Sequence, residues 1–194
     1  MTPAAASVAS DPHAEPLWIP ARRLLRSGVP GDRLPWLLDA DSLTRRIQSS
    51  CRGAFRVEVL CQRRERPLRN ESRALGLRPE TMVLVRQVHL YCGAAPWVYA
   101  RTVVPDATLT GRWRRLKHLR ARSLGALLFA EHSVRRGELE VTCLTPRDRL
   151  FGLVAARLPR PPRAIWGRRS LFYLGDRPLL VSEFFLPELG AFPS

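Results

Sequence analysis

The sequence has no long apolar run, and none approaches the roughly 18 consecutive residues of a membrane-spanning helix. Its first residues, MTPAAASVASDPHAEP, contain neither the basic n-region nor the apolar h-region of a secretory signal. These absences argue against a membrane-spanning or exported protein. We therefore expect residues 1–20 to be a disordered leader and the protein to be cytoplasmic.

Metal-binding and redox motifs are also absent. The four cysteines are Cys51, Cys61, Cys92 and Cys143. They are widely spaced and form no C-x-x-C pair, so neither a zinc site nor a dithiol redox motif is expected. The histidines are equally scattered, without the spacing of metal ligands. We predict reduced thiols, as is usual in the cytosol, and no bound metal.

Lysine is nearly absent, because Lys117 is the only one and arginine supplies almost all of the positive charge. The net charge of +15 is compatible with nucleic-acid binding. However, the arginines are spread along the chain, with no helix-turn-helix and no stacking-aromatic motif. We expect no nucleic-acid partner, and a basic surface that attracts small anionic substrates.

The length of 194 residues suits one domain with a sizeable core, which we place at residues 21–194. Apolar periodicity distinguishes helices from strands along it. It predicts a helical region at 32–52, a strand at 55–62, a hairpin at 81–105, two helical pieces within 108–132, a strand at 137–145 and a second hairpin at 167–187. The intervening segment 146–162 is rich in arginine and proline, and we expect an inserted surface loop there.

The two hairpins resemble each other at a constant offset of 82 residues, the difference between Arg86 and Arg168. In this alignment Glu183 takes the position that Arg101 holds in the first hairpin. If both hairpins have two-residue loops, Arg86 lies opposite Arg101 and Arg168 lies opposite Glu183. A longer loop would break this register and turn one partner to the other face.

Charged side chains interrupt the apolar faces of both hairpins. Glu183 alternates with Leu179, Val181 and Phe185, and Arg86 interrupts the first hairpin in the same way. Such burial is costly unless the charge is paired or used. One interpretation is an internal Arg–Glu salt bridge that joins the hairpins. The other is a polar pocket for a small organic anion.

Four stretches are similar to the chorismate lyase family, whose members make 4-hydroxybenzoate for ubiquinone. They are DSLTRRI (41–47), VRQVHLYCGAAPWVYARTVVP (85–105), SLGALLF (123–129) and WGRRSLFYLGDRPLLVSEFFLP (166–187). The resemblance implies an α+β fold, in which a single antiparallel β-sheet has helices packed on one side and helical flaps over a buried ligand pocket. Segment 147–164 and the long leader depart from the family pattern.

The resemblance also implies roles for individual residues. Arg86 would grip the ring carboxylate of chorismate, Glu183 would hydrogen-bond the ring hydroxyl, and both would be catalytic. Backbone N–H groups at Leu43 and Leu124 would complete the carboxylate site; Leu43 stands where the family has methionine. Arg101 is our own addition from the register argument, as a group that could hold the pyruvyl carboxylate.

Loss of the enolpyruvyl ether leaves an aromatic ring, so the reaction needs neither metal nor cofactor. We expect chorismate and 4-hydroxybenzoate as the only partners of a monomeric enzyme. The alternative is a non-catalytic, small-molecule-sensing domain related to the ligand-binding domains of certain transcription regulators. Such regulators carry an N-terminal helix-turn-helix, which we do not expect residues 1–30 to form.

Overall fold

The computed structural model describes residues 14–190 as one antiparallel sheet covered by short helices. The strands are β1 (Ile19–Pro20), β2 (Phe55–Glu65), β3 (Val83–Cys92), β4 (Ala95–Pro105), β5 (Val134–Arg136), β6 (Glu140–Leu144), β7 (Ile165–Leu174) and β8 (Arg177–Phe185). The helices are α1 (Leu34–Leu38), α2 (Leu43–Ser50), α3 (Arg69–Leu75), α4 (Leu124–Ala130) and α5 (Arg149–Ala155). A 3₁₀ helix at Gly111–His118 precedes α4. No helix within residues 14–190 is long and apolar enough to cross a membrane.

The strand order is β1-β6-β7-β8-β4-β3-β2, with β5 paired to the free part of β7. Both hairpins, β3–β4 and β7–β8, therefore lie side by side in the centre of the sheet through the β4–β8 pairing. Side chains alternate between two faces along each strand, so each central strand contributes to two different cores.

The first face of the sheet is covered by α3 and α5. Leu75 of α3 packs against Val83 and Val85, and Leu150 of α5 belongs to a cluster that includes Phe184. We call this the α3/α5 face.

The opposite face is covered by the segments that contain α2 and α4. Leu43 of α2 packs in a cluster with Val88 and Leu90, and Leu124 of α4 packs in one with Leu179. We call this the flap face. The predicted α+β fold, a single antiparallel sheet with helices packed against it, is confirmed, although helices cover both faces of the sheet and not one.

The register prediction is confirmed for one hairpin and wrong for the other. Arg168 lies opposite Glu183 in β7–β8, as expected from the two-residue loop Gly175-Asp176. In β3–β4 the register shifts at Trp97, so Arg86 lies opposite Thr102 and not opposite Arg101. This bulge places consecutive Trp97 and Val98 in the same buried cluster, whereas strict alternation would point them to opposite faces.

Two segments outside the predicted helices and strands contain helices. Residues 146–162 include α5, because Leu150 and Val154 provide an apolar stripe that is buried against the sheet. The polar connection after β2 includes α3, which ends at Gly76 with a left-handed φ of 63°.

Part of the predicted disordered leader is ordered. Ile19 pairs with Val141 of β6, and Trp18 packs edge-on against Phe184 with ring centroids 6.0 Å apart. Partial burial of these two apolar residues explains why residues 14–20 join the domain. Residues 1–13 lie outside the described residues.

Two cysteines are joined, contrary to the prediction of reduced thiols. Cys51, which caps the C-terminal end of α2, forms a disulfide with Cys92 at the end of β3. The sheet brings their Cα atoms to 5.6 Å, within the usual range for a disulfide, although 41 positions separate them in sequence. Cys61 and Cys143 are free thiols.

Candidate active site

A small cavity lies between the flap face of the sheet and the N-terminal ends of α2 and α4. The sheet contributes Val57, Arg86, Val88, Leu90, Ala100, Thr102, Val181 and Glu183, and the flaps contribute Thr44, Ser123, Leu124 and Gly125. Its volume of about 30 Å³ leaves room for about two water molecules. The cavity thus brings together Arg86, Glu183 and Leu124. Leu43 immediately precedes Thr44, the residue of α2 that lines the cavity.

Arg86 is a buried cation that forms no salt bridge within the described part of the chain. Its side chain comes from the middle of β3 and only 4% of the residue is exposed. Nη2 donates to the backbone oxygen of Arg122 at 3.1 Å, and Nη1 lies 3.4 Å from Oε1 of Gln62. Among residues 14–190, no carboxylate lies within 4.0 Å of the guanidinium. Burial lowers the pKa of Arg86, and the uncompensated charge suits an anionic ligand.

Glu183 is paired through one of its two oxygens. Oε2 accepts a hydrogen bond from Nε of Arg168 at 2.7 Å. Nη1 of Arg168 also donates to the carbonyls of Trp36 and Asp39, at 2.8 and 2.6 Å. Oε1 of Glu183 has no hydrogen bond within the described part of the chain, and the residue lines the cavity. The salt bridge of Glu183 therefore lies within the second hairpin and does not join the two hairpins, and Oε1 remains an unused acceptor.

Serine caps position the two flaps. The side chains of Ser42 and Ser123 accept from backbone N–H groups in the first turns of α2 and α4. Leu43 and Leu124 are the first residues of these helices, where backbone N–H groups have no intrahelical acceptor. Both helices therefore begin beside the cavity with N–H groups available to an anion.

The two flaps touch through their polar residues. Thr44 Oγ1 and Ser123 Oγ are 2.5 Å apart, which makes a direct hydrogen bond between α2 and the start of α4. A Cβ at Gly125 would lie 3.1 Å from Thr44 Oγ1, so glycine permits this close approach. The contact closes the cavity over the sheet.

Arg101 does not face the cavity. The bulge at Trp97 turns its side chain to the α3/α5 face, opposite Gln87. There it is 1% exposed, and it donates to both oxygens of Glu71, at 2.7 and 3.1 Å, and to Glu65 at 3.0 Å. The argument that placed Arg101 beside the ligand is therefore wrong, and we assign it a structural role.

Several groups around the cavity were not predicted. Gln62 and the carbonyl of Arg122 hold Arg86, and the hydroxyls of Thr44 and Ser123 join the flaps. Arg136 of β5 donates to Ser170 and lies close enough to Glu183 for their charges to interact. The serine caps have a recognisable sequence signal, but these contacts depend on the three-dimensional fold. Among residues 14–190, no group of three or more His, Cys, Asp or Glu could hold a metal ion.

The single antiparallel sheet with short helices on both faces defines a class of α+β domain that solved bacterial structures share. The effector domain of PhnF from Mycobacterium smegmatis is similar with a TM-score of 0.56 and 13% identity, covering 78% of this chain and 91% of that chain. A GntR-family transcriptional regulator from Bacillus cereus is similar with a TM-score of 0.51 and 14% identity, covering 72% and 96%. These likenesses concern the fold alone.

Sequence comparison identifies the family within this class. The family model for chorismate lyase matches residues 14–191, so the chain belongs to the chorismate lyase family. The probable chorismate pyruvate-lyase of Aromatoleum aromaticum is 43% identical over 185 residues, covering 94% of this chain and 98% of the relative. That of Pseudomonas aeruginosa is 41% identical over 175 residues, covering 89% and 92%. The predicted family resemblance is confirmed.

Proposed function

We propose that this protein is a chorismate pyruvate-lyase, which converts chorismate to 4-hydroxybenzoate and pyruvate and so supplies ubiquinone biosynthesis in the cytoplasm. Family membership supports the reaction class. The observation that carries the proposal is Arg86, a buried cation with no carboxylate partner among residues 14–190, in the same cavity as Glu183.

The spacing of these two residues suits a ring substituted at both ends. Thr102 of β4 lies opposite Arg86 of β3, and Ala100 lies opposite Glu183 of β8. The Cα atoms of Arg86 and Glu183 are thus two strand spacings apart across the sheet and offset by two residues along the strands, which gives a separation of about 12 Å. Two side chains that point into the cavity across this distance can hold opposite ends of one six-membered ring.

In the proposed complex, Arg86 binds the ring carboxylate through its guanidinium fork. Backbone N–H groups of Leu43 and Leu124 supply further donors at the flap N-termini. Glu183 Oε1 accepts a hydrogen bond from the ring hydroxyl, while Arg168 keeps Oε2 fixed. These contacts orient the ring between the sheet and the flaps.

The reaction breaks the bond between the ring and the ether oxygen, whose electron pair leaves with the enolpyruvate. A proton leaves the neighbouring ring carbon, which bears the hydroxyl, and the enolpyruvate gains a proton to become pyruvate. Aromatisation of the ring supplies the driving force. The protein contributes orientation, fixed charge and a site shielded from water.

Substrate entry requires the flaps to open, because a cavity of about 30 Å³ cannot contain the ring. The hydrogen bond between Thr44 and Ser123 must then break, since it joins the two flaps. Flap opening after the reaction is expected to limit product release.

The decisive experiment mixes purified protein with chorismate in buffer without added metal and measures both products. Pyruvate and 4-hydroxybenzoate in equal amounts support the proposal. Chorismate that is not consumed but raises the thermal midpoint would instead favour the sensing domain, a role that the fold shared with the PhnF effector domain makes the second candidate. If chorismate is not consumed and does not raise the thermal midpoint, both candidate functions are contradicted.

A further inference from the structure

A second cavity opens on the α3/α5 face, on the other side of the sheet from the flaps. It has a volume of about 510 Å³, within the usual range for small-molecule sites. It is lined by Arg63, Glu65, Arg66, Leu68, Gln87, Arg101, Arg149, Gly152 and Leu153. The end of β2, the segment after it, the middle of the sheet and α5 all contribute, so the fold itself assembles this cavity.

The lining is strongly cationic. It contains four guanidinium groups and one carboxylate, and that carboxylate, Glu65, is already bound by Arg63 and Arg101. Arg66 and Arg149 form no ion pair within residues 14–190, and both are exposed. Both guanidinium groups line the same cavity, so each is available to hydrogen-bond an oxyanion there.

The floor of the cavity supplies further polar and apolar groups. Gln87 lies opposite Arg101 in the β3–β4 register, and its carboxamide has no hydrogen bond to another described residue. Leu153 of α5 forms an apolar wall and is 38% exposed. A ligand could thus meet cations at the rim, an amide donor at the floor and an apolar surface at the side.

We propose that this cavity binds a small organic or inorganic polyanion, one with at least two phosphate or carboxylate groups, between Arg66 and Arg149. Arginine forks match both kinds of oxyanion through paired hydrogen bonds. The site is separate from the lyase cavity, since Gln87 and Arg101 point to the face opposite Arg86. Its ligand would therefore bind together with chorismate and not compete with it.

The test measures binding of two probes, inorganic pyrophosphate and citrate, to the full chain by calorimetry at moderate salt. The paired variant Arg66→Ala with Arg149→Ala should weaken binding by about tenfold or more, which corresponds to about 1.4 kcal/mol. Arg160→Ala with Arg163→Ala is the matched control, because it removes the same charge from two exposed arginines outside the cavity. Pyrophosphate bound more tightly than citrate identifies a phosphate site, and the reverse identifies a carboxylate site.

Three results would overturn the proposal. The first is that neither probe binds. The second is that both paired variants weaken binding equally, which would reflect only the overall charge. The third is that the probe competes with chorismate in the lyase assay and that this competition is unchanged in the Arg66/Arg149 variant. Gln87→Leu provides an independent check from the cavity floor and should also weaken binding. Unchanged thermal midpoints for all variants show that each is folded.

Discussion

Arg168 and Glu183 lie opposite each other on β7 and β8, joined by a hydrogen bond of 2.7 Å from Nε to Oε2. The same guanidinium donates to the carbonyls of Trp36 and Asp39, which precede α2. The glutamate of the candidate site is therefore connected through Arg168 to the segment that leads into one flap. This arrangement orients Glu183 through Oε2 and leaves Oε1 available to the proposed substrate.

Glu183→Gln is expected to reduce kcat at least about tenfold, about 1.4 kcal/mol, because the amide removes the charge that the ring hydroxyl meets. Stability should fall by about 1–3 kcal/mol, since Arg168 loses its charged acceptor. Steady-state kinetics and denaturant unfolding measure the two effects.

Glu140→Gln is the matched control for that variant. Glu140 accepts from Arg169 Nε at 2.7 Å on a neighbouring strand pair, but it does not line the flap cavity. It should lose stability and keep kcat. If both variants lowered kcat equally, the effect would belong to the sheet and not to the site.

Arg86→Met is expected to weaken chorismate binding strongly while stability stays the same or increases. The guanidinium is buried without a carboxylate partner among the described residues, so its removal ends a desolvation cost. KM should rise by about a hundredfold, about 2.7 kcal/mol, as expected for loss of a charge-assisted pair. Arg86→Lys should recover only part of this, because an ammonium lacks the planar fork. A large loss of stability in Arg86→Met would show that the residue is structural.

Arg101→Met is expected to produce the opposite result. Removing this arginine leaves Glu71, which is 1% exposed, as an uncompensated buried charge and should cost about 3–5 kcal/mol. KM for chorismate should not change in the folded fraction, because Arg101 lies on the α3/α5 face. Adding Glu71→Met to Arg101→Met should restore much of the stability. Unfolding of the two single variants and of the double variant measures the coupling between the two residues. A raised KM for chorismate with normal stability would show that Arg101 contributes to substrate binding.

Local signals predicted the parts of the fold and site that depend on neighbours in sequence. The register of Arg168 and Glu183 followed from the Gly175-Asp176 loop, and the caps of α2 and α4, Ser42 and Ser123, are of a residue type that favours helix starts. Arg86 was recognisable because it interrupts an apolar strand. These features are fixed by turn geometry, capping and alternation.

Features that depend on tertiary packing were not predictable in the same way. The β3–β4 bulge lies at the buried Trp97, and it moves Arg101 to the other face. Helix α5 is formed where arginine and proline suggested a loop, since its apolar stripe becomes apparent only against the sheet. The disulfide joins residues 41 positions apart. One inserted residue in a strand is enough to reverse an assignment based on alternation.

The buried imidazole of His89 predicts a loss of stability in mild acid. Burial lowers the pKa of His89, and its Nδ1 has no hydrogen-bond partner among the described residues. In the unfolded chain the imidazole titrates near about pH 6.5, so below that pH the unfolded state binds more protons than the folded state. The free energy of unfolding should therefore decrease as the pH falls from about 7 to about 5.

Part of this decrease should be absent in His89→Phe and present in the control His132→Gln, whose histidine is exposed. An identical pH profile for wild type and His89→Phe would contradict the assignment.

The disulfide between Cys51 and Cys92 predicts a redox-dependent stability. It closes a loop across 41 positions, and loop-closure entropy assigns about 4 kcal/mol to a crosslink of that length. Cys51→Ser should therefore lower the free energy of unfolding of the oxidised protein by an amount approaching that value. Reducing agent should bring the wild type down to the level of the variant and leave the variant unchanged. Cys143→Ser, which removes a free thiol, is the control and should respond to reducing agent as the wild type does.

Mass spectrometry after alkylation under non-reducing conditions should find two modified cysteines in the wild type and three in Cys51→Ser. Four modified cysteines in the untreated wild type would show that the pair is reduced, as the cytosolic interpretation of the sequence predicted.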